Sequence, residues 1–538
     1  MNVSSKTAAT PRARSAVIAL ACAGVFVAYL PVTTVAVSLP VIQRALGAST
    51  AQLSWVSDAF VLPVAALILT AGVFGDVHGR RKVYQVGLAL CAAGAAVSLC
   101  AGSVQVLWAG QALAGAGAAA LLPVTLALIS EAVPEPRERG KYIGWWTACM
   151  MGAMVVGPLI AGVVVGHAGW RWIFLLPVPV PVPVPVSLVT MAVAARLLPE
   201  SRTEGTRRLD WPGQISAAVA ITALVYGVIE GGAESFTAPR TLIALAVAAV
   251  SACVFVVVER RTDEPMLDLS LFRSPAFTAS TLVALVSFLG LIGFFFVLSL
   301  YLGLVQQLDT WQAGVRMVLV NVVSMVLGVV MGRVMRRVSA RVLITARLLI
   351  TAAALLSLTT LDAGTSYASL AWRLALLGLG LGIAFPCITS TAVSAVPGRQ
   401  APMAAAGNNA FRQVGGALGP AVLGALLTTR AMDTLPGHLA DAGLTGGAAG
   451  TVVRTAETDG LGAVAQLDLG TRTGRALGAV SEAFLDGLHL CLTVSAALLV
   501  LAALAAAVLL RERPDRTATV ASVNAEAAAA PVGVSQRP

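Results

Sequence analysis

Apolar stretches about as long as a bilayer core is thick recur along almost the whole chain, separated by short polar connections. A spanning helix needs about 20 mostly apolar residues. Such runs lie near residues 16–38, 54–75, 83–103, 106–130, 142–166, 171–196, 212–231, 240–258, 276–303, 312–332, 342–361, 367–396, 403–429 and 484–510. The pattern predicts an all-α integral membrane protein of about fourteen spans. The first run follows Lys6, Arg12 and Arg14 like a secretory signal, but it is too long for one and further spans follow. Two stretches fall outside the scheme: the polar, Gly-rich segment 430–483, read as an external loop, and the Ala-rich tail after Pro514, read as disordered. Alternating prolines at 177–186 strip amide donors from the sixth span, so it cannot begin as a regular helix. In lipid, such backbone must be covered by protein or water.

Charge orients the spans. Even connections carry basic clusters: Arg80, Arg81 and Lys82; Arg137, Arg139 and Lys141; Arg196, Arg202, Arg207 and Arg208; Arg260, Arg261 and Arg273; Arg333, Arg336, Arg337 and Arg341. Odd connections carry Arg44, Arg171, Arg240 and a few in 430–483, and Arg511, Arg513 and Arg516 close the chain. Basic residues gather on the cytoplasmic side, which predicts that both termini lie there and requires an even number of helices.

Composition excludes most soluble functions. Charged residues are 12% and hydrophobic residues 57% of 538, whereas a soluble domain keeps about a quarter of its residues charged. The net charge of +10 comes with no basic patch on a soluble surface, so no nucleic-acid partner is expected. The seven cysteines fall in apolar runs without metal-type spacing, and the four histidines are scattered. No nucleophile–base set and no P-loop is present, so neither an enzyme nor an ATP pump is predicted, and no cofactor or metal. Lysine occurs only at Lys6, Lys82 and Lys141 while Arg, Ala, Gly and Pro abound. That bias suggests GC-rich coding and a bacterial inner membrane. The nine tryptophans lie near span ends like an aromatic belt, and none is assigned to a substrate pocket.

Two motifs carry mechanism. Between spans two and three, GVFGDVHGRRK (72–82) places small residues in a short turn, then one acid and three bases. It resembles the loop motif of the major facilitator superfamily at Gly72, Gly75, Asp76, Gly79, Arg80 and Arg81, with Phe74 and Val77 replacing the usual Leu and first Arg. Asp76 is expected to cap the positive N-terminus of a helix from the other half, near Gly407 to Arg412, in one conformational state only. In span five, Ala153, Gly157 and Ala161 share a helical face, with Pro158 and Gly162 beside them, a spacing that packs helices closely. The stretch resembles the Gly-Pro motif of antiporter branches and is followed, as there, by WRWIF (170–174).

LDWPG (209–213), PMLDLSLFRSPAFT (265–278), YLGLVQQ before AGVR (301–316) and NNAFRQVGGALGPAVLG (408–424) are similar to the fourteen-spanner drug:proton antiporter branch, a resemblance running from about residue 16 to 510. It implies a major facilitator fold: an N-tail (1–15), a six-helix bundle (16–196), two inserted helices with their linkers (197–275), a second six-helix bundle (276–510) containing loop 430–483, and a tail (511–538). It implies a monomer, surrounded by lipid, that binds a hydrophobic drug or antibiotic near the midplane between the bundles and exports it against inward proton flow.

The departures from the branch bear on energy coupling. In LPVTTVAVSLP (30–40), Pro31 stands at the usual Asp and Ala36 at the usual Asn, and in span four Gln111 replaces the usual buried Arg. A proton-coupled carrier still needs an intramembrane ionisable group whose protonation shifts the balance of two conformations. Asp58, early in span two, is the first candidate and Glu230, at the end of span seven, the second; contact with water at the outer interface is the alternative for both. Gln111, Arg316, Asn408, Asn409, Arg412 and Gln413 are candidates for the substrate pathway. A facilitator without proton coupling is the alternative function, motivated by Pro31 and Gln111, and a non-transporting membrane sensor a further one.

Overall fold

A bilayer offers the backbone no water to bond, so an apolar chain must satisfy its amides within itself, and the apolar runs described in the structure are helical. A computed structural model describes residues 11–133, 135–174, 210–334, 337–397 and 400–510. The predicted sixth span beyond residue 174, the Pro-Val run at 177–186 and the tail 511–538 lie outside the described residues.

The helices are α1 (Pro11–Leu46), α2 (Thr50–His78), α3 (Arg80–Leu99), α4 (Val104–Ala132), α5 (Pro136–Ala168), α6 (Trp211–Ala233), α7 (Pro239–Arg261), α8 (Pro275–Leu300), α9 (Thr310–Val334), α10 (Ala340–Leu358), α11 (Tyr367–Ser394), α12 (Ala401–Asp441), α13 (Gly447–Asp459) and α14 (Thr473–Leu509). Twelve of them are long and apolar enough to cross a membrane, and α11 adds a shorter apolar stretch over Tyr367–Gly382. Their starts follow local signals. Ser49 and Gln52 form a reciprocal capping box on α2, and Ser103, Asp210, Ser274, Ser339 and Ser366 each accept a first-turn amide. At the other end of α8 the helix widens into one π turn, Tyr301–Val305, where the Gln306 amide reaches back to the Tyr301 carbonyl.

The segment expected to be an external loop is largely helical. α12 continues past Pro436 to Asp441, α13 follows, and 3-10 turns at Leu461–Gln466 and Gly470–Arg472 lead into α14. Hydropathy locates only the part of a helix that sits in lipid, whereas a capping signal ends it. Here that signal is Gly443, whose φ of +70° suits a residue without Cβ.

In the first half α3 packs on α4, α2 on α4 and α1 on α5; in the second, α8 packs on α12, α9 and α10 on α11, and α12 and α10 on α14. The halves meet along α2/α12, α5/α9 and, less extensively, α1/α8. α6 and α7 pack on each other, and α6 leans on both α2 and α12. Only 17% of the apolar window of α7 is buried against 78% for α8, so α7 lies at the edge of the described protein.

Candidate functional site

Three positions that depart from the branch the sequence resembles converge in space. Pro31 and Ala36 of α1 and Gln111 of α4 line one cavity with Phe60 of α2 and Phe295 and Phe296 of α8. It admits about 20 Å³, whereas a small-molecule pocket takes about 300–1,000 Å³, so in this conformation it is closed to a drug-sized guest. Gln111 is buried and holds one long hydrogen bond, 3.5 Å, to the Ser98 hydroxyl. The lining contains no ionisable side chain.

The acid lies beside this cavity. Asp58 is 0% exposed, and neither carboxylate oxygen has a hydrogen-bond partner; water contact at the interface does not occur here. Its helical face is fixed by its neighbours. One turn before it, the Ser54 hydroxyl donates to the Pro420 carbonyl at 3.3 Å, and one turn after it Val61 lies against Gly416. Asp58 therefore faces α12 in the seam between the halves. An ionised carboxylate left unpaired in such a place costs several kcal/mol.

The other large seam joins α5 to α9 through small residues. A Cβ on Gly314 would lie 2.5 Å from the Pro158 carbonyl oxygen, and one on Gly162 would lie 2.6 Å from the Trp311 Cα. Asn321 of α9 donates to the Met154 carbonyl at 3.1 Å. Gly157, by contrast, meets Thr33 and Thr34 of α1, and Ala153 and Ala161 are buried on that same side of α5. The motif thus serves two neighbours at once.

In the loop motif, Gly79 has a φ of +105°, which demands glycine at the corner between α2 and α3. Gly72 and Gly75 admit Pro123 and Val124 of α4. Asp76 accepts from Arg80 at 2.9 Å, and Arg80 also donates to Glu131 at 3.1 Å. Arg81 is half-buried beside them. The first turn of α12 carries no acid, and no side chain of its own caps it.

The remaining candidates separate. Asn408 and Gln413 are buried on α12, where Arg412 donates to Asn409 and lies 4.9 Å from the Phe288 ring centroid. Arg316 sits at the other end of the bundle, donating to Gln306 and lying 5.3 Å from the Tyr367 ring. Glu230 lines a separate cavity of about 530 Å³ with Trp55, Trp108 and Tyr226, so two belt tryptophans border a pocket after all.

Some polar sites escaped the sequence reading. Arg347 of α10 is 1% exposed and donates to the Ser287 hydroxyl of α8; the signal was a lone Arg in the middle of an apolar run. Glu259, buried at the end of α7, accepts from the Leu267 amide at 3.2 Å. Gln214 of α6 accepts from Thr70 and donates to the Ala66 carbonyl, fastening the inserted pair to α2. No group of three metal-ligating side chains occurs among the described residues.

Comparison with known proteins places these features in a family. The family model "Major Facilitator Superfamily" matches residues 21–420. The chain is 32% identical to the multidrug resistance protein Stp of Mycobacterium tuberculosis, over 77% of this chain and 76% of that protein. It is 31% identical to the tetracenomycin C resistance and export protein of Streptomyces glaucescens, over 92% and 91%, and 30% identical to the multidrug efflux pump LfrA of Mycolicibacterium smegmatis, over 93% and 96%. Among solved structures, a bacterial homologue of the human lysosomal transporter Spinster, inward-facing and unoccupied, aligns with a TM-score of 0.63 at 16% identity, covering 94% of this chain and all of that one.

Proposed function

We propose, on the premise that the chain belongs to the Major Facilitator Superfamily, that this multi-pass transporter expels drug-like or antibiotic molecules by proton antiport and that Asp58 carries the proton. Relatives of nearly full length are named for tetracenomycin C export and for multidrug efflux, which supports a hydrophobic small molecule as cargo. The chain works as a monomer in a bacterial inner membrane. The basic clusters put the loop-motif end and both termini in the cytoplasm and the α12–α14 segment outside.

The carrying observation is a fully buried, unpartnered carboxylate in the seam that must open and close. The named contacts between the halves lie from the midplane outward: Ser54 to Pro420, Ser299 to the Ala36 carbonyl, Gly162 to Trp311. This is a carrier closed to the outside. Protonating Asp58 removes the cost of burying its charge and lets the outer side close. Losing the proton to the cytoplasm makes the closed seam unfavourable and drives it open.

Asp76 adds a second, state-dependent contact. In this reading it caps the N-terminus of α12 when the cytoplasmic side closes and pairs with Arg80 when it opens. Gln111, Asn408, Asn409, Arg412 and Gln413 line the path the cargo takes, and Arg316 guards its outer end. A carrier without proton coupling is the competing reading, favoured by the apolar lining around Pro31, Ala36 and Gln111.

Purified protein in liposomes, given an imposed pH gradient and a panel of dyes and antibiotics, separates the two. Antiport requires gradient-driven movement of at least one compound that an uncoupler abolishes. Movement down the compound's own gradient, indifferent to pH, would establish the facilitator instead.

A further inference from the structure

The outer face holds a cavity that export through the midplane does not explain. Trp55 of α2 lies 6.1 Å from both Trp108 and Tyr226, ring centroid to ring centroid, and this trio forms one wall of the space of about 530 Å³ beside Glu230. Glu234 and Glu457 line the same space, the latter from α13, and no Lys or Arg does. On the lipid side of Trp55 and Tyr226 a second, open groove of about 650 Å³ runs between α6 and α7, walled by residues such as Val219, Ile243 and Val247. The two spaces share Trp55 and Tyr226 and meet at them. Arg240 lines the groove's rim and pairs at 3.9 Å with Glu234, both largely exposed, so the net charge of the inner wall rests on Glu230 and Glu457.

We propose that this mouth is a peripheral binding site for lipophilic organic cations, which exchange there between the outer leaflet and the carrier. The inference rests on the orientation given under the proposed function. An amphiphilic cation fits both spaces at once. Its apolar body lies in the groove on aliphatic side chains, and its charge sits over aromatic faces with carboxylates behind them, where ring quadrupole and negative charge attract it together. An anion of the same shape meets the net negative charge of Glu230 and Glu457 and is repelled. A site at the outer mouth gives a poorly soluble product somewhere to go other than back to the midplane, and Glu230 binds cargo there rather than protons.

The test uses Ala233, which is exposed and lines the cavity. Right-side-out membrane vesicles of phosphatidylglycerol composition carry Ala233→Cys with the thiols exposed among the described residues removed as Cys100→Ser and Cys253→Ser, and a membrane-impermeant thiol reagent is added outside. Tetraphenylphosphonium is expected to slow labelling about threefold or more, and tetraphenylborate, its anionic counterpart, to leave it unchanged. Glu230→Gln with Glu457→Gln is expected to raise the protecting concentration about tenfold. Tyr226→Leu makes the same point should that pair fail to reach the membrane. Asp58→Asn should retain protection.

Equal protection by tetraphenylborate, or protection indifferent to both the carboxylate and the Tyr226 variants, would overturn the proposal. So would protection by added phosphatidylethanolamine alone with no further effect of the cation, since the occupant would then be lipid. Gradient-driven efflux measured in the same membranes reports on the exporter reading separately: protection without efflux removes that reading and leaves the site.

Discussion

The two large seams between the halves are similar in extent, yet they are built from different chemistry. α5 meets α9 where Pro158 faces Gly314 and Gly162 faces Trp311, backbone nearly touching backbone, and its polar contact is neutral, Asn321 to Met154. α2 meets α12 with small residues too, Ser54 against Pro420 and Gly424, but it encloses the carboxyl of Asp58. A seam of the first kind has one preferred geometry whatever the pH. A seam of the second kind has a stability that depends on whether a proton is present. On the proposed role of Asp58 the two seams divide the work: one joint fixes how the halves move, and the other decides when.

That division can be broken experimentally. The largest effect is expected from Asp58→Asn, which keeps the shape and stays neutral: pH-driven transport in liposomes should fall to the level of protein-free vesicles while substrate binding persists. Retained coupling would end the distinction between the seams. Gly314→Val should act on the other seam by sterics alone. Its Cβ has only 2.5 Å to the Pro158 oxygen, and overpacking of this kind costs about 1–3 kcal/mol. Engineered cysteines at the outer end should become roughly 5- to 150-fold more accessible, equally at acid and neutral pH. A pH-dependent response would mean that the second seam titrates as well.

Ser54→Ala removes a hydrogen bond beside the acid and should loosen the α2/α12 seam by about 0.5–1.5 kcal/mol, read as faster labelling at the outer end of α12; an unchanged rate would assign the closure there to packing alone. The smallest effect is expected from Asp76→Asn. Losing a helix-capping charge is worth about 0.3–1 kcal/mol and should tilt cysteine accessibility toward the cytoplasm-open form. No tilt would disconnect the loop motif from α12.

Helix positions and the loop motif were legible because lipid leaves the backbone few options and because Gly79 is required at its corner. The surroundings of Asp58 were not. Hydropathy says that a residue is in the membrane but not which side of its helix faces a neighbour, and Asp58 was as compatible with an aqueous interface as with a seam until Ser54 and Val61 located the face. Arg347 is hidden in the sequence because a basic cluster ends a few residues before it, and a lone Arg there is indistinguishable from one more positive charge at the helix end. In the segment 430–483 glycine and polarity hide the helices, because α12, α13 and α14 occupy most of it without being apolar throughout. Trp55 and Trp108 were scattered belt residues along the sequence and became neighbours only when α2 and α4 packed.

α12 is 41 residues long, about 60 Å of continuous helix, where a hydrocarbon core is only about 30 Å thick. The same rod that packs beside Asp58 is therefore longer than a bilayer core is thick, and toward its far end His438 is bonded to Asp486 of α14 at 2.9 Å. In the proposed orientation, whatever rotation the rod makes inside the membrane is displayed at the cell surface. A fluorophore on that projecting end would follow turnover in living cells, and an antibody gripping it could arrest the pump without ever entering the drug path.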